Sequence, residues 1–175
     1  MICRRVWPTS DLHPPLKTRP RSAPKLLPLD VGLAASMASV PVQTLLSSPV
    51  DRVLDSRIAE SVVGQLVVSA DRRANADLYF WVRESARANA EVDFLVSTPT
   101  QLVPVEVKAG AAGSLKSLHQ YLQRSGTDFG LRLYGGVWAD ERHHVAMPDG
   151  VLRYRLLSLP LYMSEYVPKL RRRTP

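Results

Sequence analysis

Two short segments carry the residues that could do chemistry: Glu91-Val-Asp-Phe-Leu-Val96 and, eight residues on, Val105-Glu-Val-Lys108. Each sets an acidic residue between apolar, strand-forming neighbours, and the second ends in a lysine two positions past its glutamate. Residues i and i+2 of a strand share a face, so Glu91 points with Asp93 and Glu106 points with Lys108. A carboxylate in an apolar strand is costly to bury without a partner or a metal. One aspartate and one glutamate on neighbouring strands could hold a hard divalent cation such as Mg²⁺ or Mn²⁺, which takes oxygen ligands. A lysine beside them could orient a water or offset charge growing on a phosphate. Asp93, Glu106 and Lys108 thus suit hydrolysis of a phosphodiester, with Glu91 as a further acid. The plainer alternative pairs Glu106 with Lys108 on a partly exposed face, worth under about 1 kcal/mol, and leaves Asp93 to cap a turn.

The elements that must position these residues follow from local pattern. Apolar residues at Leu54, Ile58, Val62 and Leu66 have helical spacing over Val53–Ser69, with Asp51 or Asp55 as its cap. Glu60 lies at the edge of that stripe, as a solvated glutamate or as an accessory ligand. Asp77–Val82, rich in aromatics, reads as a strand whose Tyr79, Phe80 and Trp81 belong to a core. Pairing Asp93 with Glu106 leaves Pro99-Thr100 as a two-residue loop. Proline suits the favoured primed turns poorly, which predicts a bulge or a one-residue shift there. Pro104, without an N–H, should face away from a ladder. Ser114 opens a second helix over Leu115–Arg124, and Phe129–Trp138 forms a strand interrupted by Gly135-Gly136. His143–Met147 and Val151–Leu157 are shorter strands about a Pro148-Asp-Gly150 turn. A small helix over Val31–Ser39 stops at Pro41. This order gives a mixed sheet flanked by helices.

The chain has 175 residues, enough for one domain with appended tails. Its net charge of +7 sits at the ends: residues 1–25 carry +5, residues 168–175 carry +4, and residues 26–167 carry −2. Residues 1–24, with five prolines and no hydrophobic period, read as a disordered or extended tail, and 164–175 as a second basic tail. The body between, 25–163, is the domain. Arg72, Arg73, Arg83 and Arg87 are the cluster within it that could meet nucleic acid. A lone Cys3 excludes an internal disulfide and a cysteine zinc cluster. The adjacent His143 and His144 face opposite sides of a strand and do not pair as ligands. No apolar run approaches the roughly 20 residues of a membrane helix, and no apolar segment follows Arg4 and Arg5 as a signal would need. The plain expectation is a cytoplasmic protein.

Several motifs, in order, resemble one family. They are Pro24-Lys25 before Asp30-Val-Gly-Leu-Ala34, Arg57-Ile-Ala-Glu60, Tyr79-Phe-Trp-Val-Arg83, Glu91-Val-Asp-Phe94, Pro104-Val-Glu-Val-Lys108, Lys116-Ser-Leu118 and Pro160-Leu-Tyr162. Over roughly residues 24–163 the chain resembles the C-terminal domain attached to many prokaryotic AAA-type ATPases, domain of unknown function 4143. That domain is similar in fold to PD-(D/E)XK nucleases. The resemblance implies an α/β, restriction-endonuclease-like core with a mixed central sheet. It implies Asp93 and Glu106 as ligands for Mg²⁺ or Mn²⁺, Lys108 as the water-orienting group, Glu60 as an accessory ligand, and Gln120 in the place of a glutamine of some nucleases. DNA and a separate ATPase or other protein are the partners it implies. None of the nine glycines is followed by Lys-Ser/Thr, so no phosphate-cradling P-loop is present. A stand-alone or truncated domain follows, either a metal-dependent nuclease or an inactive module that binds nucleic acid or protein.

Overall fold

A computed structural model describes residues 3–28, 30, 32, 36, 56–71, 77–83, 90–110 and 113–171. The expected helix at Val31–Ser39, the caps Asp51 and Asp55, and Arg72, Arg73 and Arg87 lie wholly or largely outside the described residues. In chain order the elements are β1 (Cys3–Thr9), β2 (Lys25–Pro28), α1 (Ser56–Ala70), β3 (Leu78–Val82), β4 (Glu91–Ser97) and β5 (Leu102–Lys108). Then come α2 (Lys116–Ser125), β6 (Phe129–Tyr134), β7 (Ala139–Met147), β8 (Gly150–Pro160) and a 3-10 segment, Leu161–Lys169. The strands form one mixed sheet in the order β2-β1-β3-β4-β5-β6-β8-β7. Pairs β1/β3, β5/β6 and β6/β8 are parallel and the others antiparallel. The fold is therefore α/β, a mixed eight-stranded sheet flanked by helices. No described helix is long and apolar enough to cross a membrane.

Each face of the sheet has its own core. On one side α1 and the 3-10 segment cover Val103, Val105 and Val107 of β5 together with Phe80, Phe94, Leu131 and Leu133. On the other, α2 brings Leu118, Tyr121 and Leu122 against Trp81, Val92, Leu95, Tyr154 and Leu156. Trp81 and Tyr121 meet edge to face, with ring centroids 5.4 Å apart. Alternation along β5 leaves Glu106 and Lys108 on the α2 side. Lys108 runs beside Gly113, where a Cβ would come within 2.5 Å of its side chain, so a larger residue would push the lysine aside.

The N-terminal segment is extended, as one of the two expectations had it, but it is part of the sheet and not a disordered tail. Cys3–Thr9 is an interior strand, antiparallel to β2 and parallel to β3, with Val6 and Thr9 buried. Leu12 and Leu16 then pack on the α2-side core, and the Tyr121 hydroxyl donates to the Leu12 carbonyl at 3.0 Å. The strand is held by its two ladders and a few buried side chains such as Val6, too few to show a hydrophobic period. The second tail is corrected likewise: Ser164 and Val167 are buried within the 3-10 segment.

The hairpin β4–β5 also departs from expectation. Its pairs run Phe94↔Val105 through Ser97↔Leu102 with no shift. Thr98 closes the turn: its N–H donates to the Gln101 carbonyl at 2.8 Å and its hydroxyl oxygen accepts the Gln101 N–H at 3.2 Å. That hydroxyl stabilises a proline-containing loop that a primed turn would not tolerate. The irregularity falls on the other edge of β4, where Tyr79↔Leu95 is followed by Trp81↔Val92. Three steps on β4 against two on β3 make a bulge at Asp93–Phe94. Pro104 lies just before Val105, where β6 joins, and so stays outside that ladder.

Candidate functional site

The bulge decides where Asp93 goes. Val92 packs on the α2 side and Phe94 on the α1 side, so Asp93 and Phe94 both turn toward α1. There Asp93 meets Lys25, the first residue of β2. The Lys25 Nζ lies 2.5 Å from Glu91 Oε1, 3.0 Å from Glu60 Oε2 and 3.7 Å from Asp93 Oδ1. The lysine stem crosses the Phe80 ring, with Nζ 5.0 Å from its centroid. Burial disfavours the charge on Lys25, but Glu60, Asp93 and Glu91 outweigh it and raise its pKa. The second oxygen of Asp93 is also engaged, accepting the Val107 N–H at 2.8 Å. That bond is a strand-to-strand link made by a side chain where the β4–β5 ladder opens.

Glu106 is buried and pairs with Lys108, Nζ to Oε1 at 2.7 Å. Its Oε2 is buried with no hydrogen-bond partner. Burial raises the Glu106 pKa against the opposing pull of Lys108, and the charge of Glu60 adds to the rise. Asp93 is pushed up to about 7, first by burial and then by the charges of Glu106 and Glu60, with Lys25 and the Val107 N–H pulling down. Glu60, Glu91, Asp93 and Glu106 outnumber the two ammonium groups, and burial together with that excess of negative charge raises the pKa of both Asp93 and Glu106.

The structure brings Glu60, Glu91 and Asp93 together around Lys25 on the α1 side, while Glu106 pairs with Lys108 on the neighbouring strand, near enough for its charge to act on Asp93. Of the four arginines only Arg83 lies among the described residues, and it is engaged elsewhere. Arg83 donates from Nη1 to Gln120 Oε1 at 3.0 Å, which binds β3 to α2 and uses both residues internally. Lys25 is the residue that the spacing of β4 and β5 could not reveal, because it lies 66 positions before Glu91 in the chain. Its signal was present as Pro24-Lys25, a lysine opening an apolar strand.

Hard carboxylate oxygens are the right chemistry for Mg²⁺ or Mn²⁺, but the arrangement does not fit one. The point shared by three of the carboxylates holds the Lys25 ammonium, and an oxygen of the fourth candidate ligand is bonded to Lys108. Among the described residues, no three His, Cys, Asp or Glu side chains are arranged to hold an ion. What the cluster does as it stands is hold charge: half-buried ion pairs tie β2, α1 and β4 together, and the Asp93 hydrogen bond to the Val107 N–H adds β5.

Comparison with known proteins gives one match. The sequence profile of a family described as Domain of unknown function (DUF4143) matches residues 56–148, which span α1, the β4–β5 hairpin and α2. No curated protein and no solved structure matches the chain. With more than half of its residues inside that match, the chain belongs to the DUF4143 family.

Proposed function

We propose that this DUF4143 domain is a nuclease-like module that works by binding and does not hydrolyse phosphodiesters. The observation that carries this reading is Lys25, whose ammonium sits among Glu60, Glu91 and Asp93. A phosphodiesterase of the PD-(D/E)XK kind would need those oxygens open to a divalent cation that draws electron density from the phosphate. Here they are turned inward onto a lysine and a backbone N–H, and the centre serves as a structural tie. The reading keeps nucleic acid as the bound class and places the protein in the cytoplasm.

Plasmid and linear DNA incubated with the purified protein and Mg²⁺ or Mn²⁺ test this, beside Asp93→Ala and Lys108→Ala variants. The expected outcome is no cleavage by any of the three proteins. Cleavage by the parent that both variants lose would sink the binding-module reading and restore hydrolysis at Asp93, Glu106 and Lys108.

A further inference from the structure

The far edge of the sheet carries a second concentration of charge that the acidic centre does not explain. In β7–β8 the register sets Arg142 opposite Arg155 and His144 opposite Arg153. Like charges directly opposite on one face are unfavourable for folding. Asp140 relieves only one of them, gripping Arg155 through both oxygens at 2.7 and 2.6 Å. Arg142 and Arg153 are exposed, and no ion pair ties either to a described residue. The strands form the floor of an open groove of about 830 Å³, with Arg171 on its wall. Four arginines against Asp128 and Asp140 leave the groove cationic, while residues 26–167 as a whole are acidic.

The same groove carries aromatic surface. Trp138 is 59% exposed, unusual for the largest side chain, and Phe129 lies in the groove beneath the Arg155 guanidinium, 5.8 Å from its ring centroid. Arg142 and Arg153 are diagonal neighbours across β7 and β8, a separation of roughly 7–8 Å that suits successive phosphates of an extended nucleic-acid strand. Aromatic faces between them suit bases that are free to stack, which a duplex does not offer.

We infer that the β7–β8 groove is a binding site for single-stranded nucleic acid, with Arg142 and Arg153 on phosphates and Trp138 stacking on a base. This deepens the binding-module reading and rests on it only for the survival of the bound strand. The site stands on β7 and β8, with β6 between them and the β5 carboxylate.

Fluorescence anisotropy of a labelled single-stranded oligothymidine, measured in EDTA over a series of salt concentrations, tests it. Arg142→Ala with Arg153→Ala is expected to weaken binding tenfold or more and to lower the salt slope by about 1.4, the share of two phosphate contacts on a single strand. Trp138→Ala is expected to weaken binding about tenfold with the salt slope unchanged. Lys116→Ala with Arg124→Ala removes the same charge from α2 and is expected to leave affinity within about twofold. Melting curves of all variants check that these exposed substitutions leave folding intact. Absence of binding by the parent, equal loss in the α2 control, or tighter binding of the matching duplex would each overturn the inference. Gel analysis of the strand after incubation with Mg²⁺ separates the two readings. A bound strand that is cut leaves the groove standing and ends the non-hydrolytic reading, whereas an intact strand that the groove variants bind as well as the parent does the reverse.

Discussion

Replacing Lys25 with methionine is expected to destabilise the fold by about 2–4 kcal/mol at pH 8. Methionine keeps the apolar stem over Phe80 and removes only the ammonium. Glu60, Glu91 and Asp93 then lose the cation they share, and three carboxylates are left facing one another in a partly buried site. A fully buried pair broken in this way costs about 3–5 kcal/mol, and the quarter exposure of Lys25 lowers that figure by screening. For a chain of this length the change corresponds to a fall in melting temperature of roughly 5–15 °C. The loss should shrink at pH 5, where the carboxylates can take up protons. Urea unfolding of parent and variant at the two pH values checks it. A Lys25→Met variant as stable as the parent at pH 8 would mean that the ion pairs contribute nothing.

The second large effect concerns Asp93. Its carboxyl is pushed up from 3.8 to about 7 in the folded protein, first by burial and then by Glu106 and Glu60. A folded state that holds this proton more tightly than the unfolded chain is favoured below the unfolded value near 4. That advantage is lost as pH rises through 7. Glu106, raised by burial, acts in the same direction. Between pH 4 and 8 the Asp93 contribution should decline by about 2–4 kcal/mol. Asp93→Asn retains an acceptor for the Val107 N–H and cannot ionise. The stability difference between parent and variant should therefore shift in favour of the variant as pH rises from 5 to 8. A difference that stays flat over that range, or moves the other way, contradicts the assigned protonation.

How much of this was legible in the sequence depends on the range over which each signal acts. Strands β3, β4 and β5 and both helices announce themselves through periods of two and 3.6, and the observed bounds lie within a few residues of those expected. The pairing of β4 with β5 followed from the loop between them, and its register runs as the residue numbers require. The bulge was expected in that hairpin and occurs instead against β3, because a threonine hydroxyl, invisible to a rule about turn types, closes the loop. The motifs of the family implied a metal site of Asp93 and Glu106 with Glu60 as accessory ligand, whereas Glu60, Glu91 and Asp93 meet on Lys25. Lys25 reaches them only because β1 and β2 enter the sheet beside β3, and a strand as short as Lys25–Pro28 has no period to read. The cationic groove was hidden for a related reason. Arg142 and Arg153 are eleven residues apart in the sequence, and only the β7–β8 register makes them neighbours on one face.

Mn²⁺ titration followed by the electron paramagnetic resonance signal of the free ion tests most directly whether the acidic centre is closed by Lys25 or open to a metal. The closed centre predicts that the parent and Asp93→Ala deplete free Mn²⁺ equally, with no site tighter than millimolar. Micromolar binding of Mn²⁺ by the parent that Asp93→Ala and Glu106→Ala both abolish would contradict it.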